Sequence, residues 1–120
     1  VSAQVALIQA FDPLLRRADA GKVIALTSSV GRTPRAYWGA YGASKAALET
    51  LIAAYGDEVE AISRVRTAIV DPGATRTKMR ARAYPGEDPA SVKDPRVVAE
   101  RIAALAVDGF ETNHFERVEG

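Results

Sequence analysis

Cysteine is absent from the 120 residues, which excludes a disulfide framework, a thiolate metal centre and a cysteine nucleophile. A single histidine cannot assemble a multi-histidine zinc or iron site, so no metal is expected. Neither sign of charge dominates. Sixteen basic against 15 acidic residues leave a net +1, which removes the global electrostatic argument for nucleic acid or a membrane surface as partner. Apolar runs stay far below the ~20 residues of a membrane span. No charged–apolar–small leader opens the chain. What remains is an ordinary globular balance, 48% hydrophobic and 26% charged, at a size suited to one small domain. The expectation is a soluble, cytoplasmic α/β domain. The chain nevertheless starts at Val1 in a pattern that is already helical, and this reads as the later part of a longer protein.

Periodicity divides the chain into alternating elements. Val1, Val5, Ile8, Phe11 and Leu15 recur at three- and four-residue intervals, which predicts an amphipathic helix over 1–18. Pro13 should bend that helix near its end, and Gly21 stops it. Lys22 to Ser28 is a short apolar run, read as a strand buried on both faces of a parallel sheet. After a loop, Leu48, Leu51, Ile52, Tyr55, Val59 and Ile62 line one side of a helix over 41–62. Its many alanines keep it thin. Arg64 to Val70 is a second β-branched run, closed by Asp71-Pro72-Gly73. A short helix over 77–83 and a Pro- and acid-bearing loop over 84–94 follow. Asp94-Pro95 combines a cap acceptor with proline at the first turn and opens a helix to Ala106. Asn113 to Val118 is the last strand. Helix-strand-helix-strand-helix-strand predicts an α/β fold around a parallel sheet.

In such sheets ligands sit beyond the carboxyl ends of the strands. Two ends matter: Thr27-Ser28-Ser29 and Asp71-Pro72-Gly73. The helix after the first begins Tyr41-Gly42-Ala43-Ser44-Lys45. Residues four apart share a helix face, and an ammonium beside a phenol favours the phenolate, as general acid/base chemistry requires. A serine hydroxyl at the strand end would hold a carbonyl or alcohol oxygen against that phenol. Tyr-x-x-x-Lys alone is weak, since chance produces it often. Its surroundings are specific. Ser28 precedes Tyr41 across one loop, and Pro72-Gly73 follows after a full helix and strand.

The segments TSSVG, YGASKAAL and RVRTAIVDPGATRTKM, in that order and spacing, resemble the short-chain dehydrogenase/reductase family. The match spans essentially all of 1–120, against the second half of the family's domain. The resemblance implies one partial catalytic domain, the C-terminal half of a Rossmann-type doubly wound parallel sheet. It implies hydride transfer between NAD or NADP and a small alcohol or carbonyl substrate. It makes Ser28 the catalytic serine (Ser29 is the lesser rival), Tyr41 the acid/base and Lys45 its helper, which also binds the nicotinamide ribose. Thr27, Pro72, Gly73, Ala74, Thr75 and Thr77 become cofactor contacts. A homo-oligomer, dimer or tetramer, is implied through the two helices that precede and follow the first strand. The family's Gly-rich phosphate turn is missing, because neither G-x-x-x-G-x-G nor G-x-G-x-x-G occurs. That leaves a second reading, a non-catalytic fragment serving as an oligomerising scaffold. Arg76, Lys78, Arg80 and Arg82 form a basic segment within 75–92, read as a substrate lid. Tyr37 and Trp38 stand before Tyr41 as candidate pocket residues, and His114 reads as a strand-edge residue.

Overall fold

The computed structural model describes residues 2–28, 36–73, 75, 81–82 and 84–118. The described elements are α1 (Ser2–Arg17), β1 (Lys22–Leu26), α2 (Gly39–Glu60), β2 (Arg66–Asp71), a short 3-10 turn (Pro89–Ser91), α3 (Pro95–Asp108) and β3 (His114–Arg117). The strands form one parallel sheet in the order β1-β2-β3. Leu26 lies opposite Val70 across the first pair, and Asp71 opposite Arg117 across the second. The helices α2 and α3 therefore each connect parallel neighbours, as the alternating pattern requires.

Side chains alternate across each strand, and that alternation separates two cores. Val23 faces one side, where Tyr55, Val59 and Val65 pack with Ile8 and Leu15 of α1. Ile24 faces the other, where Val70 and Val118 pack against Val98 and Leu105 of α3, with Ile102 and Phe110 beside them. Helices thus cover both faces of the sheet, which is the doubly wound arrangement. Central β2 is the best shielded strand, with Thr67, Ala68 and Val70 fully buried. Burying each such valine is worth about 1.5–3 kcal/mol. Local signals set the helix ends. The Asp94 carboxylate accepts from the Arg96 amide at 2.9 Å, and Gly109 ends α3 at φ 84°.

Gly56 fixes how closely α2 lies on the sheet. A Cβ there would collide with Thr67 Oγ1 and Asn113 Oδ1, which are themselves bonded at 3.1 Å. Elsewhere α1 is fastened to α2 by polar groups. The Tyr55 hydroxyl donates to Asp12 at 2.5 Å, and Arg16 binds the same carboxylate at 2.8 Å. Burial, then the neighbouring carboxylate, pushes the Tyr55 phenol up to about 12. Its hydrogen bond, then that of Arg16, holds Asp12 below its ordinary value. On the far edge Arg101 bridges from α3 to Glu116 of β3, with one contact at 2.6 Å. That bond is the main cause holding the Glu116 carboxyl down to about 2, with burial opposing and His114 adding to it.

Several expectations are corrected. Phe11 was expected on the inner face of the first helix, but it is about half exposed, as are Leu7 and Leu14. Only the Ile8–Leu15 side of α1 meets the core. Ile62 is exposed because α2 ends at Glu60 and the residue falls in the turn. β1 is only partly buried, and Leu26 is 45% exposed, because among the described residues no strand covers its other edge. The α1 helix runs through Pro13 to Arg17, short of the stop expected at Gly21. No helix among the described residues is long and apolar enough to cross a membrane.

Candidate active site

The site lies where the carboxyl ends of β1 and β2 adjoin the first turns of α2. The ladder between the strands continues one residue past β1, because the Thr27 amide donates to Val70 O at 3.0 Å. That bond sets Ser28 beside the segment leading to Pro72 and Gly73. α2 starts just after Trp38, whose carbonyl accepts the Gly42 amide at 2.8 Å. Its first turns therefore carry Tyr41 and, one turn on, Lys45.

Lys45 connects helix to strand. Its ammonium lies 5.7 Å from the centre of the Tyr41 ring and 3.5 Å from the carbonyl of Leu26, two residues before Ser28. The Ser44 hydroxyl turns back to Tyr41 O at 2.7 Å and secures the first turn. Tyr41 is half-buried. Its ring meets Trp38 edge to face at 5.6 Å between centroids, and Trp38 stacks on Tyr84 at 6.4 Å. The three rings form one aromatic row that includes Tyr41.

At the second strand end the chain turns through Pro72-Gly73, with Gly73 at φ 67°, a conformation that favours glycine. The buried Asp71 carboxylate accepts the Gly73 amide at 2.9 Å. The Lys93 ammonium donates to Pro72 O at 2.6 Å, and the Thr75 hydroxyl contacts both Pro72 O and Gly73 O. Thr75 and Lys93 also form an isolated parallel bridge. The turn is thus held by three side chains.

Of the residues expected from the sequence, Ser28, Tyr41, Lys45, Pro72, Gly73 and Thr75 stand at these two adjoining strand ends. Thr27 is there as well, but its hydroxyl is turned to Glu49 Oε1 at 2.9 Å. Ser29, Ala74 and Thr77 lie outside the described residues, as do Arg76, Lys78 and Arg80 of the expected lid. Tyr37 is fully exposed at φ 69°, whereas Trp38 packs against Tyr41 and Tyr84. His114 is half-buried on β3, 3.1 Å from Glu116, remote from these strand ends. Sequence reading missed Glu49, Tyr84 and Lys93, and gave Asp71 no part beyond closing its strand. Glu49 carried a signal, since it continues the Tyr41, Lys45 series at four-residue spacing. Lys93 and Tyr84 carried none, because only tertiary folding brings their loop to the site.

The donors gathered here are a phenol, an ammonium and an alcohol. Such a set can hold the hydroxyls of a sugar and pass a proton to or from a carbonyl oxygen. The residues fit the nicotinamide–ribose end of a dinucleotide, with the Pro72–Gly73 turn beside it. They do not fit its pyrophosphate end, for which this sequence has no Gly-rich turn.

Comparison with known proteins accords with this geometry. Residues 1–88 match the short chain dehydrogenase family. A relative in Escherichia coli K12, the uncharacterized oxidoreductase YciK, is 48% identical over 95 residues, 79% of this chain and 37% of its own. A short chain dehydrogenase from Shigella flexneri, solved with NADP, superimposes with a TM-score of 0.91 at 39% identity, over 100% of this chain and 50% of the other. One from Escherichia coli CFT073, solved with NADPH, gives 0.90 and 40% over 100% and 50%. The chain therefore spans about half the length of these solved relatives. On sequence and fold together, it belongs to the short chain dehydrogenase family.

Proposed function

We propose that this chain is the catalytic half of an NAD(P)-dependent oxidoreductase acting on a small alcohol or carbonyl compound. One observation carries the reading: Lys45, one helical turn after Tyr41, bridges α2 to the end of β1 next to Ser28. A bound nicotinamide would supply the hydride; the protein groups position and protonate. Tyr41 holds the proton that the substrate oxygen gains on reduction or loses on oxidation. The Lys45 ammonium, 5.7 Å from the centre of the Tyr41 ring, offers donors to ribose hydroxyls. Ser28 orients the substrate oxygen toward the phenol. Pro72, Gly73 and Thr75 form the adjoining wall, with Ala74 and Thr77 next to it in sequence, and Trp38 and Tyr84 exclude water at the rim. The related structures solved with NADP and NADPH support this cofactor class. A soluble, cytoplasmic homo-oligomer, dimer or tetramer, is part of the same reading.

The test uses the protein as its gene encodes it. Calorimetry with NADP and NAD should give saturable binding for at least one of them. Nicotinamide absorbance should then change with some member of a panel of small alcohols and ketones. Absence of both binding and turnover would favour the oligomerising scaffold instead.

A further inference from the structure

Three successive turns of α2 present Tyr41, Lys45 and Glu49 along one stripe. Two successive residues at the β1 end, Leu26 and Thr27, are bonded to it, and Ser28 is next in sequence. Two cross-links join stripe and strand: Lys45 to Leu26 O at 3.5 Å, and the Thr27 hydroxyl to Glu49 Oε1 at 2.9 Å. From this we infer that Glu49 is a positioning residue for the reaction, acting through Thr27 on Ser28 and on the strand end that Lys45 contacts. The inference rests on the proposed oxidoreductase reading.

The physical case starts from Thr27. It is 4% exposed, so its hydroxyl needs a protein partner, and a carboxylate acceptor gives a stronger bond than a neutral one. Its backbone is fixed at the same time, since its amide donates to Val70 O at 3.0 Å. The residue is therefore tied to β2 by its main chain and to α2 by its side chain. Ser28, next in sequence, takes its direction from that double anchor. Lys45 alone is a weaker tie, because its contact is long and its stem is flexible. Without Glu49 the buried Leu48 and Ile52 of α2 remain, yet the last residue before Ser28 would lose its side-chain anchor. Catalysis depends steeply on such placement, because misplacement by about 1 Å can cost on the order of 10²-fold.

The experiment compares Glu49→Ala, Glu49→Gln and Thr27→Val in the protein as its gene encodes it, with Tyr41→Phe as reference. Glu49→Ala and Thr27→Val should each lower kcat on the order of 10- to 100-fold, with KM for the nicotinamide cofactor within a fewfold of wild type. The Thr27→Val/Glu49→Ala double variant should lose no more than the larger single loss, because both break one link. Glu49→Gln keeps an acceptor oxygen and should recover most of kcat. Circular dichroism confirms folding, and should Glu49→Ala fail to fold, Thr27→Val and Glu49→Gln decide alone. Wild-type kcat in both Glu49→Ala and Thr27→Val, or additive losses in the double variant, overturns the inference while loss in Tyr41→Phe leaves the oxidoreductase reading standing. Full turnover in Tyr41→Phe overturns that reading instead.

Discussion

Gly56→Ala should destabilise the protein, although helix propensity points the other way. In a helix interior alanine is favoured over glycine by about 1 kcal/mol. Against this stands the contact surface. The new Cβ would overlap Thr67 Oγ1 and Asn113 Oδ1, a bonded pair in which Thr67 is fully buried. Relief requires either that α2 lift from the sheet or that the pair open. Overpacking of the first kind costs about 1–3 kcal/mol, and orphaning a buried hydroxyl costs about as much. Two simultaneous overlaps place either cost in the upper part of its range, about 2–3 kcal/mol, and less the propensity gain of about 1 kcal/mol a net loss of about 1–2 kcal/mol remains. In urea, with a slope of about 2 kcal/mol/M, the midpoint should fall by roughly half to one molar at unchanged slope. Gly39→Ala is the control, because a Cβ at Gly39 meets nothing within 4 Å, and its midpoint should hardly move. A Gly56→Ala midpoint equal to or above wild type would refute the claim that this glycine sets the helix–sheet distance.

Three further outcomes follow from the packing. Tyr55→Phe should cost about 1 kcal/mol by deleting the bond to Asp12, measured by thermal unfolding. Because the Tyr55 phenol is raised from 10 to about 12, its contribution is complete below pH 10 and lost as pH rises through 12, and the variant should lack that alkaline decline. Glu116 is lowered from 4.5 to about 2, so its contribution is complete above pH 4.5 and lost as pH falls to 2. Solvent access to Arg101 limits it to about 1 kcal/mol, and wild type and Glu116→Gln should converge in stability near pH 2. Gly73→Ala should cost about 1–2 kcal/mol from its positive φ alone. It should also displace Lys93, since the added Cβ would lie 2.8 Å from Lys93 Nζ and 3.3 Å from Val118 O; denaturant midpoints and loss of cofactor binding read both effects.

Local chemistry was legible in the sequence, and contacts made across the fold were not. The Asp94-Pro95 start of α3 and the placement of Tyr41 and Lys45 one turn apart on α2 depend on residues within one or two helical turns, and both are seen in the structure. The pairing of the strands followed from alternation of element types. Burial of individual side chains was less legible, because a periodic stripe does not say how wide its partner is. Phe11 and Ile62 illustrate this, the first lying beyond the reach of the core and the second beyond the end of α2. The Pro72–Gly73 turn was placed correctly, but its fastening by Lys93 joins residues 21 apart and has no sequence signature. The same holds for Thr27 and Glu49, 22 apart, of which only the helical half of the relation could have been seen.

Tyr41→Phe tests the account most directly. The substitution removes one oxygen at a half-buried position and leaves the ring contacts with Trp38 and Lys45 in place, so fold and cofactor binding should be unchanged. General acid/base catalysis is worth roughly 10²–10⁴-fold, and hydride transfer, followed by nicotinamide absorbance in the protein as its gene encodes it, should fall by that much. Turnover within about tenfold of wild type would contradict the account and move the proton transfer away from Tyr41.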